Sequence, residues 1–565
     1  MSKPERSELR WAVAWAVVIV LLASLPYLWG MFITPAGYSF LGLTHNIDDG
    51  AVYLSWMRQA ADGHLFIRNL FTNEPQAAMQ FNLLFLAMGW FAALTRLPLI
   101  AVFHLSRIVL GIALILGIWQ FSKLFLDDPK QRRLLVPLVG LSAGIGWMIP
   151  GAKAPTGSVD LWQPEAITFL SIYLNPLFLA GLLLMLGSFY WLELARREKS
   201  VRYAVFAGLH LLVLGNVHTY DVLTVACVWS AYLIALWVFG GRWEAVDGLP
   251  VYEGDDLREW RMVFPSRGVL LSLIAASIAA PSVAYQFWVY AIDPVYRLRA
   301  NTPIPSPPIW SYFEGYGLVF VGAATAVVLI LFNLKSKIEN RKYLLPIVWS
   351  VVGFAVPYVP IAQQRKLVMG LHIPLCILCA YALSMLLSRL PGALGRIVLV
   401  GIVLLMAGSN ILFLANDSRL LGEGKTVTHY SPYMNDDQLA AMRYLRAHGK
   451  SGDSIYAPPD FALFAPAMTG MAVYYGHWSE TPDYSGKLLD WAAGVEPKTL
   501  EGRGLVTLLR SRASYLVAYG ESGYQVSDLA RPYLRRVFDA GDVPADRISV
   551  YRVRGARGAA ESTPR

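Results

Sequence analysis

Long apolar runs separated by short polar stretches fill the first 415 residues, and shorter alternating segments follow. A bilayer core of roughly 30 Å needs about 20 mostly apolar residues per helix. The pattern predicts about eleven such helices, near 11–31, 100–124, 134–150, 166–192, 202–217, 221–238, 269–290, 317–334, 343–360, 367–388 and 395–415. Several contain Pro or Gly, which membrane helices tolerate because neighbours re-satisfy the freed backbone groups. Lys3, Arg6 and Arg10 precede the first run as in a signal peptide, but no small-residue cleavage site follows Leu28-Trp29-Gly30. A retained span is therefore predicted.

Loop charges order the spans. One set of alternate loops carries Lys3, Arg6 and Arg10; Lys123, Lys130, Arg132 and Arg133; Arg196, Arg197, Lys199 and Arg202; Arg242, Arg258, Arg261 and Arg267; Lys335, Lys337, Arg341 and Lys342; and Arg389 and Arg396. The short loops of the other set are nearly bare. Positive loops mark the cytoplasmic side. The expectation is a multi-pass protein of the plasma (inner) membrane, with its N-terminus cytoplasmic and its C-terminal portion extracytoplasmic. The stretch 78–97, AMQFNLLFLAMGWFAALTRL, is apolar enough to span, but a span there would reverse the later loops. It is predicted as an interfacial helix within a first outer loop, 32–99. Ordered loops of that length are usually functional.

The tail is predicted as a small extracytoplasmic α/β domain over 416–555, with a disordered end at 556–565. Helices are expected at 436–448, capped by Asn435, at 505–510 and at 526–534. Strands are expected at 454–457, 471–475, 514–517 and 548–552.

Composition agrees with a membrane chain. Hydrophobic residues make up 56% and charged ones only 15%, against about a quarter in soluble domains, and mean hydropathy is +0.45. The net charge of +9 follows largely from the loop bias and requires no nucleic-acid partner. The three cysteines, Cys227, Cys376 and Cys379, lie in apolar runs and read as packing.

Candidate chemistry clusters in the predicted outer loops. His45-Asn46-Ile47-Asp48-Asp49-Gly50 sets adjacent carboxylates before a predicted helix, 51–61. They either complement the helix N-terminus or act as a general base in a partly dry cleft. Gln363-Gln364-Arg365-Lys366 offers amides and cations suited to a phosphate, or to interfacial snorkelling. His372, two turns on, either lines a cavity or packs. In Asn216-Val217-His218-Thr219-Tyr220-Asp221, Thr219 is placed to cap a helix with Asp221 in its first turn, or His218 and Asp221 to serve a site. Asp160 and Glu165 are candidate oxygen ligands for a divalent ion such as Mg or Mn, with a spacing that is not diagnostic; no cofactor is certain. Arg297 and Arg299 precede a Pro- and aromatic-rich loop suited to sugars or to the membrane interface. The loop Tyr475–Thr481, with His477, either faces a cavity or closes a domain edge. Walker A, G-x-G-x-x-G, H-E-x-x-H and G-x-S-x-G patterns are absent.

Together, the many spans, the acidic first loop with its interfacial helix and the outer C-terminal domain resemble the GT-C superfamily of membrane glycosyltransferases. Oligosaccharyltransferases, protein mannosyltransferases and the lipid A aminoarabinose transferase belong there. The resemblance implies Asp48-Asp49 as the catalytic acidic motif and Asp160 and Glu165 as a second acidic pair. It implies Arg365, with Gln363 and Gln364, at the lipid phosphate. It also implies an inverting transfer of a hexosyl or pentosyl unit from a polyprenyl-phosphate sugar to a lipid, glycan or protein acceptor of unknown identity. The W-W-D-x-G motif of oligosaccharyltransferases is absent, and no mannosyltransferase signature extends beyond the first-loop acids. The rival readings are a lipid-linked saccharide transporter or flippase, a non-catalytic scaffold of the same fold, and a polysaccharide ligase.

Overall fold

The computed structural model describes residues 3–151, 156–244, 266–332, 341–495, 499–520, 525–541 and 547–554. The expected disordered end 556–565 and Arg258, Arg261, Lys335 and Lys337 lie outside the described residues. The chain divides into two compact units. One comprises 1–25, 104–288 and 303–416, the other 26–103, 289–302 and 417–565.

Among the described residues, eight helices are long and apolar enough to cross a membrane: Glu5–Phe32, Leu99–Ser122, Pro176–Glu198, Tyr220–Val238, Arg267–Ile292, Ile309–Phe332, Gln364–Ser388 and Gly392–Gly422. The expected spans 134–150, 202–217 and 343–360 occur instead as shorter helices, Pro129–Leu141, Val201–Val217 and Leu344–Ala355. Just past the end of the first of these, a Cβ on Gly144 would lie 2.0 Å from the Glu314 carbonyl oxygen, so only glycine fits there. Leu344–Ala355 passes into a 3-10 turn, Val356–Tyr358, at Pro357.

In the first unit, polar groups between helices pair with one another, as an apolar setting requires. Glu8 accepts from Trp119 Nε1 at 2.6 Å and Arg132 Nε at 2.6 Å. Glu193 holds Arg196 at 2.7 Å, Arg197 at 2.6 Å and the Tyr232 hydroxyl at 3.0 Å.

The second unit holds the helices Ile47–Ala61 and Leu83–Thr95 and nine short strands among the described residues. Tyr38–Phe40 (β1) pairs antiparallel with Tyr433–Asn435 (β2), tying the early loop to the tail. The remaining strands are Ser454–Tyr456 (β3), Ala472–Val473 (β4), Thr499–Leu500 (β5), Tyr515–Gly520 (β6), Gln525–Val526 (β7), Leu534–Ala540 (β8) and Arg547–Val553 (β9). A five-stranded sheet runs β4-β3-β6-β9-β8, parallel at β4-β3-β6 and antiparallel beyond. Leu83–Thr95 has 13 residues, capped by Asn82. It packs Gly89 against Met57 and Ala60 and leaves Trp90, Phe91 and Leu94 exposed.

The helix expected at 526–534 does not form. That stretch contains β7, a 3-10 turn Arg531–Tyr533 and the start of β8. Pro532 removes a helical donor, and Leu534–Ala540 pairs with β9 across a bulge.

Asp436–His448 carries a full capping box: Asn435 accepts from Gln438 N at 2.8 Å and Gln438 Oε1 accepts from Asn435 N at 2.9 Å. Asn435→Ala is expected to cost about 1 kcal/mol, read as a lowered unfolding midpoint of the full chain in detergent. An unchanged midpoint would show that the cap is dispensable.

Candidate functional site

In the second unit, Ile47–Ala61 opens with its acidic pair in the first turn, where the helix end favours negative charge. Asn46 does not cap this helix through its side chain; its Nδ2 donates to Asp49 Oδ2 at 2.7 Å. The two carboxylates diverge in environment. Asp48 is 5% exposed, whereas the Asp49 side chain is 41% exposed. Asp48 Oδ2 accepts from Trp478 Nε1 at 3.1 Å, and Asp48 Oδ1 is buried without a hydrogen-bond partner. His477 is fully buried, its Nε2 lying 3.5 Å from Asp49 Oδ1 and 3.9 Å from Asp48 Oδ2. The Ser479 amide donates to His477 Nδ1 at 3.1 Å, so the imidazole proton sits on Nε2, facing the carboxylates. Thr481 Oγ1 accepts from the Gly476 and His477 amides and donates to the Phe71 carbonyl at 2.7 Å, fixing the loop.

Burial raises the Asp48 carboxyl above the ordinary range, and the Asp49 charge adds to the rise, while His477 opposes it. Burial alone would lower the His477 imidazole. The neighbouring carboxylates of Asp49 and Asp48 outweigh it, and the net direction is upward. This is an acid–base cluster whose members tune one another.

His45 sits nearby in sequence but pairs with Asp417 at 3.0 Å. Arg299 Nε binds Glu480 at 2.8 Å and lies over the Trp56 ring, so it braces the His477 loop. Arg297 instead donates to the Ala291 carbonyl of its own segment. The pairing of Trp478 with Asp48 and the Tyr430–Tyr484 hydroxyl pair at 3.0 Å are not signalled in the sequence. Trp478 and Asp48 are 430 positions apart, and no spacing signal links them.

In the first unit, Arg365 and Lys366 occupy a 3-10 turn, Gln364–Val368, that leads into His372–Ser388. The Arg365 guanidinium lies 5.4 Å over the Trp162 ring, and its Nε is buried with no hydrogen-bond partner. Lys366 lies 5.2 Å over the Tyr220 ring. Gln163 donates to the Arg365 carbonyl at 3.2 Å. Gln363 is buried, and Gln364 is half-buried.

His372 is held in the interior of the first unit. It is buried, bonded through Nδ1 to Thr168 Oγ1 at 3.0 Å and through Nε2 to Ser142 Oγ at 3.2 Å, and stacked on Tyr316. Asp160 is likewise spoken for. Its Oδ2 accepts from the amides of Gly144 at 2.9 Å and Gly146 at 3.2 Å, and its Oδ1 accepts from Ser158. Burial still leaves its carboxyl raised. Glu165 is buried in the turn Pro164–Ala166. Among the described residues, no group of three or more His, Cys, Asp or Glu side chains is placed to hold a metal ion. His218 Nδ1 faces Asp221 Oδ2 at 3.0 Å, while Thr219 turns back to the Gly215 carbonyl rather than capping.

No family model and no curated protein sequence matches the chain. Solved structures do. The oligosaccharyltransferase of Archaeoglobus fulgidus tethered to an acceptor peptide superposes with a TM-score of 0.51 at 10% identity, covering 89% of this chain and 69% of that one. The oligosaccharyltransferase AglB of the same organism, with an inhibitory peptide and a dolichol-phosphate, gives 0.51 at 12% identity over 95% and 74%. The apo form gives 0.50 at 11% identity over 95% and 76%. At such identities the likeness establishes architecture and not activity. The chain therefore shares the fold of these solved structures.

Proposed function

We propose that the protein is a membrane glycosyltransferase that moves a sugar from a polyprenyl-phosphate donor to an acceptor hydroxyl, with Asp48 as general base. The observation that carries this reading is the Asp48 carboxylate. It is buried, held by Trp478 through one oxygen, and has its other oxygen unpartnered beside Asp49 and His477. A raised pKa brings a carboxylate closer to the working pH and makes it a more effective base. The acceptor O–H proton passes to Asp48, the oxygen bonds to the anomeric carbon, and the bond from that carbon to the phosphate oxygen breaks. A single displacement inverts the centre and releases polyprenyl phosphate. Asp49 and His477 orient Asp48 and set its affinity for the proton.

The leaving phosphate gains charge, and a cation that stabilises it lowers the barrier. In this reading Arg365, whose buried Nε lacks a partner, and Lys366 take that role. The dolichol-phosphate bound by the archaeal enzyme supports a lipid-phosphate donor. The acceptor side and the C-terminal segment are extracytoplasmic, following the loop charges.

The test is release of polyprenyl phosphate from a panel of labelled polyprenyl-phosphate sugars by the purified protein in lipid. Arg365→Ala is expected to lower kcat/KM about 10- to 100-fold, with Arg365→Lys restoring only part because the planar fork is lost. Wild-type activity in Arg365→Ala would remove that residue from the mechanism. Donors that bind but never turn over, with a full set of acceptors supplied, would overturn the transferase reading in favour of a scaffold.

A further inference from the structure

Ten positions beyond Asp48, at the other end of the same helix, the second unit has a half-open cavity of about 360 Å³. That volume lies within the range of small-molecule sites. Its walls are apolar: Phe40 and Leu41 after β1, Leu54, Leu99 and Ile100, and Phe464 and Met468 from the helix Pro459–Thr469. Arg58, Arg443 and Arg446 are also among the lining residues. Leu439, Met442, Arg443 and Arg446 fall on one face of Asp436–His448 at helical spacing, so that face turns from apolar to cationic along its length.

The charges do not balance. Asp62 answers both Arg58 at 3.6 Å and Arg446 at 3.3 Å. Arg58 Nε and Arg446 Nη1 otherwise donate to the Ala467 and Met468 carbonyls. Arg443 is exposed and forms no ion pair among the described residues. Three cations thus face one carboxylate at the edge of an apolar cavity. Burial, and then the charge of Arg446, lower the proton affinity of Arg58, as expected where like charges crowd. The wall residue Leu99 begins Leu99–Ser122, one of the helices long enough to cross a membrane. A residue at the end of a membrane-spanning helix would stand near the lipid headgroups.

We propose that this cavity binds an anionic phospholipid of the surrounding bilayer, with an acyl chain against Phe40, Leu54, Met442 and Phe464 and the phosphate on Arg443, Arg446 and Arg58. A neutral lipid would leave the cationic excess unanswered, and a soluble anion would leave the apolar wall empty. The site is separate from the Asp48 cluster and holds whether or not that cluster transfers sugar.

The experiment uses the full chain in vesicles containing phosphatidylglycerol with a photoreactive acyl chain, and crosslinked peptides are mapped. Label is expected on the segments 439–446 and 464–468, about tenfold above that from a phosphatidylcholine probe with the same chain. The double variant Arg443→Gln/Arg446→Gln is expected to lose it by a similar factor. Leu439→Trp, which fills the cavity and keeps the charges, is expected to lose it too. Equal labelling by the two lipids, or full labelling of the double variant, would overturn the proposal. So would displacement by millimolar inorganic phosphate as complete as by unlabelled phosphatidylglycerol, which would mark a site for a free anion.

Discussion

Asp48→Asn is expected to lower sugar transfer by about 10²- to 10⁴-fold, the usual worth of a positioned general base. The substitution keeps the shape of the side chain and an oxygen to accept from Trp478, so donor binding should persist while turnover falls. Folding should not suffer. The carboxyl of Asp48 is raised by burial and by Asp49, so its contribution to stability is present at low pH and fades as pH rises through the raised value. At neutral pH the ionised form burdens the fold, and the amide removes that burden. An inactive variant at least as stable as wild type is thus the expected result. The neighbours provide a sharper check through the acidic limb of the pH–rate profile. Asp49 raises the Asp48 pKa and His477 lowers it. Asp49→Asn should therefore move the limb to lower pH, and His477→Gln should move it to higher pH. Limbs that stay in place in both variants would show that Asp48 is not the titrating base. An Asp48→Asn enzyme of full activity would shift the role to Asp49.

Gly504→Ala is expected to destabilise the second unit by about 3 kcal/mol or more, beyond the common range for overpacking. The helix Gly502–Arg510 crosses Tyr484–Gly494 so closely that a Cβ on Gly504 would fall 1.7 Å from the Gly494 carbonyl oxygen. The obstacle is backbone, which cannot rotate away as a side chain can. Relief requires moving one helix off the other, which disturbs the core of Trp491, Val495, Leu500 and Leu508. Close-packed interiors transmit such strain rather than absorb it. Thermal unfolding of the full chain in detergent should show the second unit melting well below wild type. Unchanged melting would mean that the two helices part without cost.

Periodicity and loop charge make much of this fold legible from sequence. Long apolar runs such as 395–415 have few alternatives to a helix, and the cap Asn435 announces Asp436–His448 residue for residue. The helix expected at 526–534 is bounded instead by β7, which pairs with β5, and by β8, which pairs with β9, and both pairings are tertiary information. The close approach of Glu314 to Gly144, just past the end of Pro129–Leu141, is likewise concealed by the apolar run. At the candidate site, residue chemistry singles out Asp48, Asp49 and His477. Sequence alone does not reveal that Trp478 seats Asp48, that Asp160 serves its own loop, or that His372 is held in the interior. Each of those facts is a contact between positions far apart in the chain or a hydrogen bond already filled.

The bond from Trp478 to Asp48 also sets an order of events during synthesis. The two residues are 430 positions apart. At about 5–20 residues per second, roughly 20 to 90 s pass between their emergence from the ribosome. Throughout that interval Asp48 and Asp49 stand without His477 and Trp478, and β1 waits for β2. Contacts of such high order form late and only after a long loop has closed. The acid–base cluster is therefore a late product of assembly, and a chain stalled before residue 478 carries the carboxylates without the means to tune them.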